Sequence, residues 1–285
     1  MKVGLSLSGG GVRAAAHIGV LKVLKKHGIP IDLIAGTSAA SLVASLYAIG
    51  YSVQEIEELF LSYQSSPMRV KSLIDPDYLG IFKNHTAVNG FIKGDKYQNT
   101  VGSLVRARGH LILKDAQIPL AIPAVDLVTS KIIMFVSDKT MLFDDSDIIY
   151  LDNATYSHAI RASSSFPAVM RPMPYLDYQL IDGGVRENLP ADVLREMGAD
   201  IIIGVNAGHY GKPSSNVCGI THILSRVLDI MTHSLSENFA EFSDVLLLPE
   251  VHDVGTFEFE KIEHCIKYGE TVTENSINLI KNIVK

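Results

Sequence analysis

Ile31-Asp32-Leu33-Ile34-Ala35-Gly36-Thr37-Ser38-Ala39-Ala40 decides how this chain folds. Ile31 to Ala35 is a short apolar run, the pattern of a buried strand. Gly36 stops it, and Ala39 to Gly50, rich in Ala, Leu and Ser with few charges, reads as a helix buried on most sides. A strand that turns within three residues into a buried helix belongs to an α/β layer architecture. The turn, with small residues at Gly36 and Ala39, resembles a nucleophile elbow, which holds a serine in strained backbone geometry above a strand end. Ala40 stands where that pattern usually closes with glycine.

Upstream, Lys2 to Ser8 reads as a central strand that ends at Gly9-Gly10-Gly11, and Val12 to His27 as the helix that follows. A glycine loop opening a helix turns bare amides toward one point, where the helix N-terminus adds partial positive charge. Gly9, Gly10, Gly11, Val12 and Arg13 are therefore candidates to hold an oxyanion, with Arg13 as a brace for the loop. His17, one turn on, fits a helix-surface or core histidine better than a catalyst. Gly9, Gly11 and Ala14 also satisfy the looser dinucleotide fingerprint, but Asp32 precedes the second strand instead of ending it. No Gly-Lys-Ser/Thr of a nucleotide P-loop is present either.

Downstream, Val53 to Tyr63 reads as helix. The stretch from about 65 to 115, punctuated by Pro67, Pro76, Gly80, Gly90 and Gly94, is a candidate lid or substrate-facing insertion. Ile118–Asp126 and Lys131–Val136 read as two strands, and Asn153–Ala162 as a helix capped by Asp152 or Asn153. Tyr178–Ile181 is a short strand ending at Asp182-Gly183-Gly184, and Ile201–Val205 a β-branched central strand. Helices are expected at Ala191–Met197, Ile220–Phe242 and Phe259–Lys285, with one more strand at Leu246–Pro249. Strands alternating with helices predict a three-layer α/β/α architecture around a mostly parallel sheet, as one domain over 1–285 whose C-terminal part, from about 259, is helical.

Composition narrows the function classes. The 285 residues are 47% hydrophobic and 20% charged, ordinary for a globular chain, and the net charge is −6. Nucleic acid as a partner is excluded, because it needs clustered Lys and Arg. Cys218 and Cys265 lie in no ligand-like cluster, which predicts two buried thiols and neither a disulfide framework nor a zinc site. The most apolar stretch, Ile31 to Ile49, is too interrupted to span a bilayer, and the first residues hold no signal-peptide core. The expectation is a cytoplasmic chain with at most peripheral membrane contact.

Asp182-Gly183-Gly184 alone is ordinary turn chemistry. Taken in order with Gly9-Gly10-Gly11-Val12-Arg13 and Gly36-Thr37-Ser38-Ala39-Ala40, it resembles the patatin-like phospholipase family: glycine-rich oxyanion loop, G-x-S-x-G turn and Asp-Gly-Gly/Ala motif. Ala162-Ser163-Ser164-Ser165-Phe166-Pro167, Asn188-Leu189-Pro190 and Met197-Gly198-Ala199-Asp200 are further echoes, and the likeness covers roughly residues 1–210. It departs at Ala14 and Ala40, where the family usually has glycine.

The resemblance implies a Ser-Asp dyad without histidine, with Ser38 as nucleophile and Asp182 as base. It also implies no cofactor and no metal, and a lipid or other acyl-ester substrate. Two alternatives stand beside it: a Ser-His-Asp triad using His209, and a non-hydrolytic lipid-binding or regulatory protein that keeps the fold.

Overall fold

The computed structural model describes residues 1–76, 89–140, 142–208, 223, 226–232 and 241–285. Strand β1 (Val3–Leu7) is buried along its whole length. It pairs in parallel with β2 (Leu33–Gly36) on one side and with β8 (Ile201–Val205) on the other. β9 (Val245–Leu247) continues the parallel arrangement beyond β8. Strands flanked on both edges and covered on both faces have no polar side to show, hence the apolar runs of β1, β2 and β8.

β3 (Leu120–Asp126) and its neighbours bring in the antiparallel pairs. It pairs with β4 (Ile132–Val136) along one edge, and β5 (Ile148–Leu151) then closes that side parallel to β4. On its other edge β3 meets two strands in succession. Leu120 and Ala121 face β2, whereas Ala124, Val125 and Asp126 face β7 (Tyr178–Asp182), which hairpins with β6 (Met173–Tyr175). β2 runs with β3 and β7 against it, so the two strands point their C-terminal ends at one another across Pro123.

A proline inside a sheet forfeits a ladder bond. Here alternation removes the cost. Leu120 O accepts from Ser137 N and Asp126 N donates to Lys131 O, both on the β4 side, while Leu127 N donates to Gln179 O at 2.8 Å. The missing N–H of Pro123 therefore falls on the opening between β2 and β7.

Period-two alternation splits the core between the faces. Ile34 joins Leu5, Leu7, Ile122 and Phe135 beneath helices α1 (Ala16–Lys26), α2 (Ala39–Ala48), α6 (Tyr156–Ser163) and α8 (Ile262–Ile283). Leu33 and Ala35 join Met134 and Ile202 beneath the short helix α7 (Asp192–Glu196). The expected layers and mostly parallel sheet are present. Helices α3 (Val53–Gln64), α4 (Pro67–Leu73) and α5 (Asp95–Arg106) complete the layer on the larger face and its margin.

Several expected boundaries move. The helix after the glycine loop starts as a 3-10 turn over Gly11–Ala15 before α1. Thr155, not Asp152 or Asn153, caps α6, its hydroxyl accepting from His158 N at 3.3 Å. β5 and β6 were not anticipated, because one is a half-exposed edge strand and the other has only three residues. Of the helix expected at 220–242, Ile223 and residues 226–232 are described and helical, whereas Glu241 and Phe242, at its expected end, form a turn. Gly80, His209 and Cys218 lie outside the described residues, while Cys265 is a buried free thiol.

Candidate active site

The turn after β2 is forced by crowding. A Cβ on Gly36 would lie 2.7 Å from Ala40 O, so only glycine lets α2 begin this close to the strand. Ser38 sits at φ 55°, ψ −129°, a conformation that costs a non-glycine residue of order 1–3 kcal/mol. Its surroundings over-determine it. Thr37 N donates to Leu7 O at 3.1 Å and Thr37 Oγ1 to Glu187 O at 2.9 Å. Ser38 N donates to Ser163 Oγ at 2.9 Å, which names a use for one serine of the 162–167 segment.

Asp182 ends β7 on the far side of the Pro123 gap, 3% exposed. A Cβ on Gly183 would lie 2.3 Å from Pro123 O, so the chain passes β3 only because glycine follows the aspartate. The topology thus delivers two strand ends to one point: Ser38 Oγ donates to Asp182 Oδ2 at 2.6 Å. Asp182 Oδ1 accepts from Gly184 N at 2.9 Å. Burial raises the Asp182 carboxyl to about 6, against the lowering pull of the Ser38 and Gly184 bonds.

The glycine loop lies against the same serine. A Cβ on Gly9 would come within 3.1 Å of Ser38 Cβ. Three of the five candidate amides are spent within the chain: Gly9 N donates to Asn188 O, Val12 N to Thr256 O and Arg13 N to Gly10 O. Among the described residues the amides of Gly10 and Gly11 have no acceptor. Gly11 holds φ 61°, and a Cβ there would strike Thr256 O at 2.4 Å. Arg13 is the brace expected of it. Its Nε donates to Gly10 O at 3.0 Å and a terminal nitrogen to Asp229 Oδ1 at 2.7 Å. His17 is fully buried and bonded through Nε2 to Ser8 O at 2.8 Å. Burial lowers it to about 4, so it is a neutral packing residue away from the serine.

Above Ser38 opens a cavity of about 260 Å³ with a largely apolar lining that includes Leu42, Phe60, Ile74, Ile92, Phe166 and Phe259. Val70, Leu73, Ile74, Ile92 and Tyr97 all come from the 65–115 stretch. That stretch is anchored by a residue the sequence did not single out, the buried Arg161. Its guanidinium donates to Lys93 O and Ser165 Oγ, and to Arg171 O at 3.0 Å. A Cβ on Gly94 would collide with this guanidinium at 2.0 Å, which explains that glycine. Ser165 O in turn accepts from Asp182 N at 3.0 Å. Among the described residues no group of three or more His, Cys, Asp or Glu is placed to hold a metal ion. None of the helices there is long and apolar enough to cross a membrane.

A family model described as patatin-like phospholipase matches residues 5–195. Lysophospholipase NTE1 of Scheffersomyces stipitis is 30% identical over 292 positions, covering 94% of this chain and 17% of that protein. Patatin-like phospholipase domain-containing protein 6 of Homo sapiens is 28% identical over 220 positions, covering 76% of this chain and 14% of that protein. The chain thus spans less than a fifth of the length of these relatives. Among solved structures, VipD from Legionella pneumophila aligns with a TM-score of 0.62 at 12% identity, covering 97% of this chain and 66% of that one, a likeness of fold.

Proposed function

The chain belongs to the patatin-like phospholipase family, and from that premise we propose that it hydrolyses carboxylic esters of lipids, of the phospholipid or lysophospholipid class, through an acyl-enzyme on Ser38. The single observation that carries the reading is the 2.6 Å bond from Ser38 Oγ to Asp182 Oδ2 at the floor of an apolar cavity.

In this mechanism Ser38 Oγ attacks the ester carbonyl carbon as its proton passes to Asp182 Oδ2. A carboxylate near 6 is ionised at neutral pH and is a stronger base than an exposed aspartate. The carbonyl oxygen becomes an oxyanion, and the amides of Gly10 and Gly11 are its donors, with one well-aimed donor worth about 3–4 kcal/mol. Arg13 holds that loop by its bond to Gly10 O. The tetrahedral intermediate collapses, the C–O bond to the leaving alcohol breaks, and Asp182 returns its proton to that alkoxide. Water, deprotonated by Asp182, then attacks the acyl carbon; the bond from that carbon to Ser38 Oγ breaks, Asp182 returns the proton to Oγ, and the acyl group leaves as the carboxylic acid. The 65–115 stretch serves as the substrate-facing wall through Ile74, Ile92 and Tyr97.

Incubation with a fluorophosphonate probe tests the reading. Stoichiometric labelling of the wild type is expected, absent in Ser38→Ala and reduced by at least a hundredfold in rate in Asp182→Asn. Full labelling of Asp182→Asn, or none of folded wild type, overturns it.

A further inference from the structure

Arg13, Asp229 and Thr232 line the cavity with their side-chain polar groups bonded within the chain. Two hydroxyls on the same wall are poorly satisfied. Tyr97, in the first turn of α5, and Ser164, just past the end of α6, both line the cavity with Ser38 and Asp182. Among the described residues, the one hydrogen bond that either hydroxyl makes is to the other, at 3.4 Å. An O–H···O bond normally spans about 2.5–3.0 Å, so this one is weak. Each hydroxyl carries one donor and two acceptor sites. Whichever of the two donates, the pair keeps an O–H and several lone pairs unused in a largely apolar cavity. Burial pushes the Tyr97 phenol up to about 12; the Ser164 bond pulls the other way, and the Asp182 carboxylate is near enough to add to the rise. Tyr97 is therefore a neutral donor at working pH.

Ser164 stands between the two residues that hold the dyad. Ser163 Oγ accepts from Ser38 N at 2.9 Å, and Ser165 O accepts from Asp182 N at 3.0 Å. The hydroxyl pair thus borders the reacting centre from α6, whereas the oxyanion donors Gly10 and Gly11 belong to the glycine loop. Asp182 must return its proton to the departing alkoxide, which places the leaving alcohol beside Asp182 and within reach of the pair. A phosphate held there would face the ionised Asp182, and the nearby Arg161 gives its guanidinium to Lys93 O, Ser165 Oγ and Arg171 O. A neutral hydroxyl fits instead. It both donates and accepts, matching what the pair has left, while an acylated or alkylated oxygen can only accept.

We propose that Tyr97 and Ser164 form a subsite for a free hydroxyl on the carbon next to the one that bears the ester oxygen, so that the preferred substrate is a monoacyl ester of a polyol. The proposal rests on the hydrolase reading and narrows it from lipid esters in general to those whose neighbouring hydroxyl is unsubstituted. A site built to bond a substrate hydroxyl discriminates strongly against the analogue that lacks it, because its own polar groups are then left unpaired.

The test compares kcat/KM of the full chain on three water-soluble esters with one acyl group: 2-hydroxypropyl, propyl and 2-methoxypropyl butyrate. Wild type should favour the hydroxypropyl ester over the propyl ester by about tenfold or more, with the methoxy ester no better than propyl. In Tyr97→Phe, and separately in Ser164→Ala, the hydroxypropyl-to-propyl ratio should fall to within about twofold of one. Equal wild-type rates on the hydroxypropyl and propyl esters overturn the proposal, as does a methoxy ester as fast as the hydroxypropyl one. Preference retained in both variants overturns it too. In these cases turnover itself persists, and the hydrolase reading stands. Folded wild type that turns over none of the three overturns both.

Discussion

Burial lifts the Asp182 carboxyl to about 6 although Ser38 and Gly184 both donate to it, so its proton affinity is set by desolvation more than by its partners. As a base it must be ionised. The rate on a soluble ester should therefore climb through an acid limb centred near pH 6 and level off above it, measured as kcat/KM against pH. Stability runs the other way. The native carboxyl keeps its proton to higher pH than the unfolded chain does, so between about pH 4 and 6 the native state binds more protons and stability falls as pH rises. Asp182→Asn removes the buried charge. Relative to wild type it should gain stability from pH 4.5 to pH 8, by at most about 3 kcal/mol, two pK units at roughly 1.4 each. Thermal melts of both proteins at the two pH values check this; an unchanged difference in Tm would mean that burial does not raise the group.

Close backbone approaches decide how the helices lie. A Cβ on Gly269 would fall 1.9 Å from Ala16 O, and one on Gly19 2.0 Å from Ile266 O, so α1 and α8 touch backbone to backbone at two glycines. Gly269→Ala must push the helices apart and should cost at least about 2 kcal/mol, as overpacking does. Gly28 is the control. Its Cβ would meet nothing within 4 Å but its φ is 68°, so Gly28→Ala should cost only about 1–2 kcal/mol for the left-handed backbone. Chemical denaturation of the two variants ranks them, and the reverse order would mean that α8 does not seat on α1 this tightly. The apolar stripe of α8 was legible, since Ile262, Ile266, Ile277 and Ile280 follow helical spacing and are buried. The glycine contact was not, because a glycine on a helix looks like a weak propensity until its neighbour is known. Strands β1, β2, β3, β4 and β8 could be read from apolar runs for the same local reason, whereas the head-to-head meeting of β2 and β7 across Pro123 is a property of pairing that no single strand carries. In the candidate site, the two strand-end turns and the glycine loop announced themselves by composition. The roles of Ser163 and Arg161 did not, because each makes a bond to a residue more than sixty positions away.

The cavity draws its walls from the whole length of the chain, from Gly9 and Leu42 near the start through Ile74, Phe166 and Leu228 to Ile262. No fragment contains it, and its apolar lining couples the global fold to substrate choice. Each methylene moved from water to such a wall is worth about 0.8 kcal/mol, roughly fourfold in affinity. If that binding is retained in the transition state, kcat/KM on a series of water-soluble p-nitrophenyl esters should rise by about fourfold per added methylene from acetate upward. The rise must stop where about 260 Å³ is filled, because a longer chain then meets α8 or leaves by the mouth. Replacing Leu42, which is buried on α2 beside Ser38, with Phe narrows the space and should move the break to a shorter ester while leaving the rate on acetate within a few fold. A flat series, or a break that stays in place in Leu42→Phe, would mean that the acyl group does not enter this cavity.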